Sequence, residues 1–414
     1  MQNRNLTRVT NKNRILELIR RNKSIYRAEL ARLTELSMPT IMSITDELIL
    51  EGLIRDAGKG ISSGGKPPML LELIPDARLF LGIDISGAMF KCIIIDLQGA
   101  VVYQRSRDRD ELPDGYLIGA IIDFIQATVA ESGVDEKKIC GIGVGIPGLV
   151  DTENGVVITS IDYGCKNTDL RTPLQEHFKL PVFVENSSKV MAIGEKWFGA
   201  GDGCDDFALV TVGRGIGAAL IIKGEIYSGF YNMSGEIGHM VINPNGPLCK
   251  CGKQGCLETL ASGNAISNQA RQLIDSGGST IMLEMAGGNR KKVNSDIVFA
   301  AAEKGDSLAR IIADSAIDNL AIGLSNLVSL FDCQRIILTG YVVKGNEYLL
   351  RRVSQKINET RSLYYGNMPV ELRLSEMGEE AAVVGAATLP LQNFGTNTNT
   401  NMSWDIKEAG LTRW

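Results

Sequence analysis

One segment near the middle of the chain restricts the fold more than any other. It reads GEIGHMVINPNGPLCKCGKQGCLE and spans residues 235–258. Its imidazole and three thiols, at His239, Cys249, Cys251 and Cys256, make a complete tetrahedral ligand set for Zn²⁺. Because protein groups fill all four positions, we expect a closed, structural zinc site. Metal-free thiols and a redox loop are the alternative explanations.

The remaining cysteines and the composition describe an ordinary soluble protein. The five other cysteines are scattered along the chain, several of them in apolar segments, and we expect buried free thiols there: Cys92, Cys140, Cys165, Cys204 and Cys333. The 414 residues suffice for two or three domains, and 44% are hydrophobic. We see no apolar run long enough to cross a membrane and no signal peptide, so the expected location is the cytoplasm.

Charge is distributed unevenly between the two ends. Residues 1–75 contain 12 lysines and arginines against 8 acidic residues, although the whole chain has a net charge of −5. A basic segment on an acidic body suggests contact with nucleic acid. A chance fluctuation of charge explains the same numbers.

The basic segment has the element order of a winged helix-turn-helix. Apolar residues within 12–21 predict a first helix, and Ser24 and Ser37 are candidate caps for a second and a third. Two short strands follow, Leu53–Asp56 and Met69–Ile74, joined by a glycine-rich loop that carries Lys59 and Lys66. Three helices and a hairpin with a basic tip predict a DNA-binding domain over 1–75.

Beyond residue 78 the chain alternates strands and helices, as in an α/β fold. The segment FALVTVGRGIGAALIIKGEIYSG repeats the strand, glycine turn and strand of the earlier LFLGIDIS and FKCIIIDLQG segments. Such a duplication predicts two similar lobes with a cleft between them. We assign 79–190 to the first lobe and 191–390 to the second, which carries the zinc loop, with a C-terminal helix that returns to the first lobe as an option. The polar segment 391–414 is expected to be disordered.

These segments resemble the ROK family of repressors, open reading frames and sugar kinases. The resemblance is carried by VTVGRGIGAALIIKGEIYSGFYNMSGEIGH, by GVGIPGLVD and by the zinc segment. The winged helix is similar to that of the repressor branch, which includes the xylose and N-acetylglucosamine repressors. The resemblance implies a two-lobed actin-like (RNase H-like) sugar-kinase fold, a sugar in the cleft, and a homodimer or tetramer.

The nucleotide side of this pattern departs from the family's kinases. The first phosphate turn reads Asp84-Ile85-Ser86-Gly87-Ala88, the second reads Gly213-Arg214-Gly215, and Thr339-Gly340-Tyr341 stands where kinases usually have paired glycines. Most important, Ser187 replaces the aspartate that deprotonates the sugar hydroxyl. A serine hydroxyl is too weak a base for that role near pH 7. We therefore expect a protein that is not an enzyme.

The sugar side is better retained. The resemblance implies that one set of residues lines the sugar pocket: Asn186, Ser187, Glu236, His239 and Glu258. Carboxylates and an amide suit the vicinal hydroxyls of a pyranose, and His239 would bind zinc through one ring nitrogen and face the sugar with the other. A solvated turn carboxylate at Glu236 and a helix cap at Glu258 are the alternatives. Lys189 adds a charge that the kinases lack.

The candidate DNA contacts are unusual, because no lysine or arginine occurs between Leu33 and Ile54. Base reading would fall to the third helix, at Ser37, Met38, Thr40, Met42 and Ser43. Phosphate contacts would come from basic residues around it, among them Arg27, Lys59 and Lys66. A winged helix used for protein contacts is the alternative.

Three functions follow from these patterns. The first is a sugar-responsive regulator, most simply a repressor of carbohydrate genes, that binds double-stranded operator DNA and a monosaccharide or derivative. The second is an ATP-dependent sugar kinase with a DNA-binding domain. The third is a regulator controlled by a protein partner, with a vestigial sugar cleft.

Overall fold

The computed structural model describes residues 2–59, 69–87, 89–109, 116–366 and 368–394. Lys66, the side chain of Lys59 and most of the expected disordered segment 391–414 lie outside the described residues.

The described elements alternate along the chain. The helices are α1 (Gln2–Asn22), α2 (Arg27–Thr34), α3 (Met38–Leu50), α4 (Leu117–Ser132), α5 (Arg171–Phe178), α6 (Ser187–Phe198), α7 (Leu257–Ala261), α8 (Gly263–Asp275), α9 (Met282–Met285), α10 (Ser295–Glu303), α11 (Ser307–Phe331), α12 (Glu347–Tyr365) and α13 (Glu380–Gln392). The strands are β1 (Ser24–Tyr26), β2 (Ile54–Lys59), β3 (Met69–Leu73), β4 (Leu79–Asp84), β5 (Met89–Asp96), β6 (Val101–Asp108), β7 (Ile139–Ile146), β8 (Leu149–Asp151), β9 (Val156–Ser160), β10 (Cys165–Asp169), β11 (Val182–Asn186), β12 (Phe207–Val212), β13 (Ile216–Ile222), β14 (Glu225–Tyr227), β15 (Arg335–Thr339) and β16 (Glu371–Leu374).

Three helices and a small sheet form the first unit, which we call the head (residues 2–73). Its strands are ordered β1-β3-β2, and β3 runs antiparallel to both neighbours. Ser37 caps α3 by accepting a hydrogen bond from the backbone of Thr40, and Pro39 lies in the first turn. The expected cap at Ser24 is wrong: Ser24 begins β1, where it pairs with Glu72, and α2 starts three residues later. The sheet needs this strand because β3 would otherwise expose one edge.

Two five-stranded sheets follow, and their strand orders match. The first sheet is ordered β11-β7-β4-β5-β6 and the second β14-β13-β12-β15-β16. In each sheet a strand forms an antiparallel meander with the next two strands and a parallel pair on its other side. The repeated glycine-turn segments of the sequence occupy equivalent places, β4–β5 and β12–β13. The duplication seen in the sequence is therefore present in the topology.

The C-terminal helix α13 crosses back to the first sheet. It packs on β4, β7 and α6, and its backbone approaches α6 so closely that only glycine fits. A Cβ atom on Gly385 would lie 1.7 Å from the carbonyl oxygen of Val190, and one on Gly194 would lie 2.4 Å from that of Ala381. Helices α6 and α13 therefore pack directly backbone to backbone, and we call them the α6–α13 pair.

The head shares a hydrophobic core with the rest of the protein. Ile15, Ile19 and Leu48 of the head belong to the same buried cluster as Phe80 on β4 and Val383 on α13. At its edge the Arg20 guanidinium lies 4.4 Å from the ring centre of Trp197, near the C-terminal end of α6. The head therefore packs directly against the α6–α13 pair.

Among the described helices, α11 alone is long and apolar enough to cross a membrane by composition. It packs instead against α7, α8, α10 and α12, with Ile312, Leu320 and Leu327 fully buried. It is the central helix of the second lobe's core.

Candidate metal centre and ligand cleft

The four predicted metal ligands converge on one point. The ligand atoms of His239, Cys249, Cys251 and Cys256 all lie within 4.8 Å of one another. The Nδ1 atom of His239 is 3.5 Å from Sγ of Cys249, and the sulfurs of Cys251 and Cys256 are 3.6 Å apart. Bonds of about 2.3 Å to sulfur and 2.0 Å to nitrogen give tetrahedral edges of roughly 3.5–3.8 Å. The donor set and its spacing therefore fit Zn²⁺.

Local backbone structure positions these ligands. His239 ends a single 3₁₀ turn, and Cys256 is the residue that precedes α7. Between them, Gly255 has a positive φ of 67°, and a Cβ atom there would lie 1.5 Å from the carbonyl oxygen of Asn243. Only glycine satisfies both conditions. Burial raises the pKa of the Cys256 thiol to about 12, so a cation is needed to hold it as a thiolate.

We call residues 235–258, which carry the four candidate ligands, the metal loop. A cleft of about 1150 Å³ opens next to this loop, between the two sheets. The ends of β4, β11 and β12, the first turn of α6, and helices α7 and α8 contribute to its walls. Three of the five predicted sugar residues line it: Asn186, Ser187 and Glu258. Glu236 and His239 do not line the cleft in this structure, and Glu236 is exposed.

Asn186 and Ser187 begin helix α6 at the floor of the cleft. The Asn186 side chain accepts hydrogen bonds from the backbone of Ser188 and Lys189, and its amide donates to the carbonyl of Gly148 at 2.8 Å. Asn186 is therefore first a helix cap, with one amide hydrogen left for a ligand. The Ser187 hydroxyl is buried without a hydrogen-bond partner among the described residues. A buried hydroxyl in that state favours a bound partner.

Lys189 is buried one turn further along α6. Its ammonium donates to the carbonyl of Asn232 at 3.0 Å and lies 3.8 Å from the carboxylate of Glu185. Burial lowers the pKa of Lys189 and raises that of Glu185. The lysine thereby ties the loop around Asn232 to the helix that forms the cleft floor.

Glu258 closes the other side of the cleft. One of its oxygens accepts a hydrogen bond from the backbone of Ile216 at 3.2 Å, and the other lies 3.2 Å from the Lys250 ammonium. The cap that the sequence offered as an alternative does not form, because the residue preceding α7 is Cys256 and makes no side-chain cap. Glu258 thus connects the β12–β13 turn to the metal loop.

A buried aspartate, Asp84, ends strand β4 at the turn that corresponds to the first phosphate-binding turn of the kinases. Asp84 accepts hydrogen bonds from the backbone and the hydroxyl of Ser86, and burial raises its pKa to about 6. Lys91 also lines the cleft, but it is paired with Glu379 and Glu380 of the α13 region. No local sequence pattern predicts this pairing, because the partners are almost 300 residues apart in the chain.

On the head, α3 presents its predicted contact residues to solvent. Met38 and Met42 are 42% and 48% exposed, and Ser37 and Ser43 are exposed as well, while Thr40 is half-buried. The basic residues nearby are engaged with the helix itself. Arg27 pairs with Asp46, and Arg8 and Lys12, both from α1, pair with Glu47. Sequence reasoning did not anticipate these pairs, which join different helices.

The sequence matches a known protein family and several of its characterised members. The ROK family profile matches residues 80–393. A xylose repressor of Caldicellulosiruptor bescii is 29% identical and covers 95% of this chain and 98% of its own. A glucokinase of Thermotoga maritima is 31% identical and covers 78% of this chain and all of its own.

A solved structure of the same family also resembles this structure along most of the chain. The crystal structure of a ROK family transcriptional regulator, described as a homologue of the Escherichia coli MLC protein, has a TM-score of 0.81 and 27% identity. The match covers 94% of this chain and 98% of that one. With the profile matched over three quarters of its residues, this chain belongs to the ROK family.

Proposed function

We propose that this protein is a sugar-responsive transcriptional repressor of carbohydrate genes. The observation that carries the proposal is the extent of the two matches. The glucokinase accounts for 78% of the chain, whereas the xylose repressor accounts for 95% and so includes most of the residues before position 80. Those residues form the head, which the kinase lacks. Operator binding would place the protein in the cytoplasm.

The head is proposed to act as a winged helix-turn-helix over 1–75, with α3 in the major groove. Met38, Thr40, Met42 and Ser43 would contact base edges, and Ser37 would contact the backbone at the start of the helix. Arg27 would reach phosphates, as would Lys59 and Lys66. Because the base-reading side chains carry no charge, most of the binding energy would come from phosphate contacts and fall with salt.

The cleft is proposed to bind the sugar. Asn186, Ser187 and Glu258 already line it, and the unpartnered Ser187 hydroxyl is the group most in need of a ligand. Glu236 lies on the same loop as the candidate zinc ligand His239, and we assign both residues to the sugar when the cleft between the two sheets closes. Zinc would be structural: it fixes the loop that presents these residues.

Helix α6 offers a path from the sugar to the DNA. Its first residues form the cleft floor, and Trp197, roughly 15 Å further along the axis, touches Arg20 of the head. Glu17 holds the Arg20 guanidinium by two hydrogen bonds of 2.7 and 2.8 Å. A shift of the α6–α13 pair on closure would therefore move the head. In a homodimer or tetramer this would change the spacing of the two heads.

A binding experiment tests this function. Fluorescence anisotropy with DNA from the gene's own upstream region is expected to show specific, salt-sensitive binding that one sugar of a panel weakens. Met42→Glu, on the exposed face of α3, is expected to abolish binding, and Gln104→Glu on strand β6 to leave it intact. Absence of specific binding in every condition would overturn the proposal. Specific binding that no sugar of the panel weakens would instead favour control by a protein partner.

The kinase function has less support, although kinases are among the relatives. We propose that the chain is inactive as a kinase, because Ser187 occupies the place of the catalytic base. Loss of such a base costs roughly a hundredfold to ten-thousandfold in rate. A coupled assay for ADP with hexoses and N-acetylhexosamines is expected to give no turnover. Turnover that survives Ser187→Ala would show another base and restore the kinase.

A further inference from the structure

We propose that the cleft contains a second carbohydrate subsite, so that the effector is a disaccharide or a longer oligosaccharide. The subsite is formed by Asn264, Asn268 and Gln272 of α8 together with Tyr341 and Arg214. This inference rests on the proposed sugar-binding function and extends it. Its evidence lies at the end of the cleft away from the β11–α6 junction.

The first observation is a row of amides on α8. Asn264, Asn268 and Gln272 are spaced by four residues and therefore follow one face of the helix, along the cleft. The opposite face is buried through Ile266 and Ala270. None of the three amides has a side-chain hydrogen-bond partner within the part of the chain that the structure describes. An amide both donates and accepts, which suits hydroxyls that do the same.

The second observation is an aromatic ring in the same cleft, next to the start of α8. The hydroxyl of Tyr341 lies so near Gly263, at the start of α8, that a Cβ atom there would be 2.2 Å from it. The ring is thus fixed against α8, yet 42% of the residue remains exposed to the cleft. A fixed apolar face surrounded by a few polar groups is the usual form of a small-molecule site.

The third observation is size. At about 1150 Å³, the cleft exceeds the range of roughly 300–1,000 Å³ that holds a drug-sized ligand. A single monosaccharide at Asn186, Ser187 and Glu258 would leave the α8 end empty. A second sugar unit would fill it.

The charges in the cleft favour a neutral ligand over a nucleotide. Four carboxylates line it, from Asp84, Asp162, Glu258 and Glu379. Of the described cationic residues that line it, Lys91 and Lys250 are paired with acids, and Arg214 alone has no ion pair. When the pairs Lys91–Glu379 and Lys250–Glu258 are set aside, two carboxylates remain against one cation, so a polyphosphate would meet net negative charge, which costs binding energy. An uncharged polyol avoids this cost.

Calorimetric titration of the zinc-loaded protein tests the subsite. The probes are D-xylose against xylobiose, D-glucose against cellobiose, and N-acetylglucosamine against chitobiose. One disaccharide is expected to bind at least about tenfold more tightly than its monosaccharide. Asn268→Ala is expected to remove most of that advantage and to leave the monosaccharide's affinity unchanged. Gln104→Ala, an exposed amide on β6 outside the cleft, is the control and should alter neither.

The outcomes separate this inference from the function on which it rests. A monosaccharide that binds while no disaccharide binds more tightly overturns the subsite alone. An Asn268→Ala variant that weakens both members of a pair equally does the same. Absence of binding by all six sugars overturns both. Binding of the nonhydrolysable nucleotide AMPPNP, weakened by Asn268→Ala, would assign the amides to a nucleotide and overturn the carbohydrate subsite.

Discussion

The metal loop and the surface of the head around α3 are built in opposite ways. In the metal loop, four candidate ligands from one stretch of 18 residues meet at one point, where they could hold a metal ion. In the head, cations from α1 and α2 pair with Asp46 and Glu47 of α3 and with Glu51, the residue that follows it. The metal loop would be completed by an added ion, whereas the charged groups of the head already have partners within the protein.

Removal of one metal ligand should have the largest effect. Cys256→Ser is expected to abolish stoichiometric zinc and to lower the free energy of unfolding by more than about 4 kcal/mol, because a structural zinc site contributes directly to folding. Metal analysis and denaturant unfolding measure both. Cys140→Ser, a buried cysteine away from the loop, is the control and should retain zinc. Full stability of Cys256→Ser without metal would contradict a structural zinc.

The buried carboxyl of Asp84 should make the stability of the protein depend on pH, because no strong ion pair holds it in the charged form. Its pKa of about 6 in the folded protein exceeds the usual 3.8, so it favours folding below pH 4 and this contribution is lost as pH rises through 6. Asp84→Asn should therefore gain up to about 3 kcal/mol relative to the parent at pH 8, at 1.4 kcal/mol per pKa unit, and less than about 1 kcal/mol at pH 4. Unfolding curves at the two pH values measure this. An equal effect at both would show that Asp84 does not titrate in this range.

The junction between head and body should transmit the sugar signal. Arg20→Met removes the cation above Trp197 and is expected to reduce the sugar-induced change in DNA affinity by about tenfold, with sugar affinity unchanged. Arg21→Met is a matched control, because Arg21 also pairs with Glu17 but is half exposed. Anisotropy titrations with and without sugar decide. An unchanged response in Arg20→Met would exclude this path.

The smallest effect is expected from the paired acids of α3. Glu47→Gln frees Arg8 for phosphates and leaves Lys12 with Glu51 as its remaining acidic partner, and it should tighten DNA binding about threefold to tenfold at low salt, with a steeper salt dependence. Glu29→Gln removes a charge from α2 and is the control, since its contact with Arg32 is long and exposed. Equal effects of the two variants would mean that only net charge matters, not the release of particular cations.

How much could be predicted from the sequence depends on how far apart in the chain the interacting residues lie. The metal ligands, the duplicated strand pairs and the cap of α3 were predictable because each depends on residues close together in the chain. The β1 strand was missed because three residues form a strand only when β3 is beside them. The pairing of Lys91 with Glu380, the contact of Arg20 with Trp197 and the position of Tyr341 against α8 depend on packing between distant elements. Glu236 was assigned to the pocket by resemblance, and in this structure it remains outside the cleft.

We expect sugar binding in the cleft and DNA binding at the head to be coupled, so that each changes the free energy of the other. Calorimetry can measure this coupling as the affinity of the effector sugar for the free protein and for the protein saturated with operator DNA. Because coupling between two sites is reciprocal, the DNA should change the sugar's dissociation constant by the same factor by which the sugar changes that of the DNA. Equal sugar affinity in the two states would contradict the account, since the cleft and the head would then be independent.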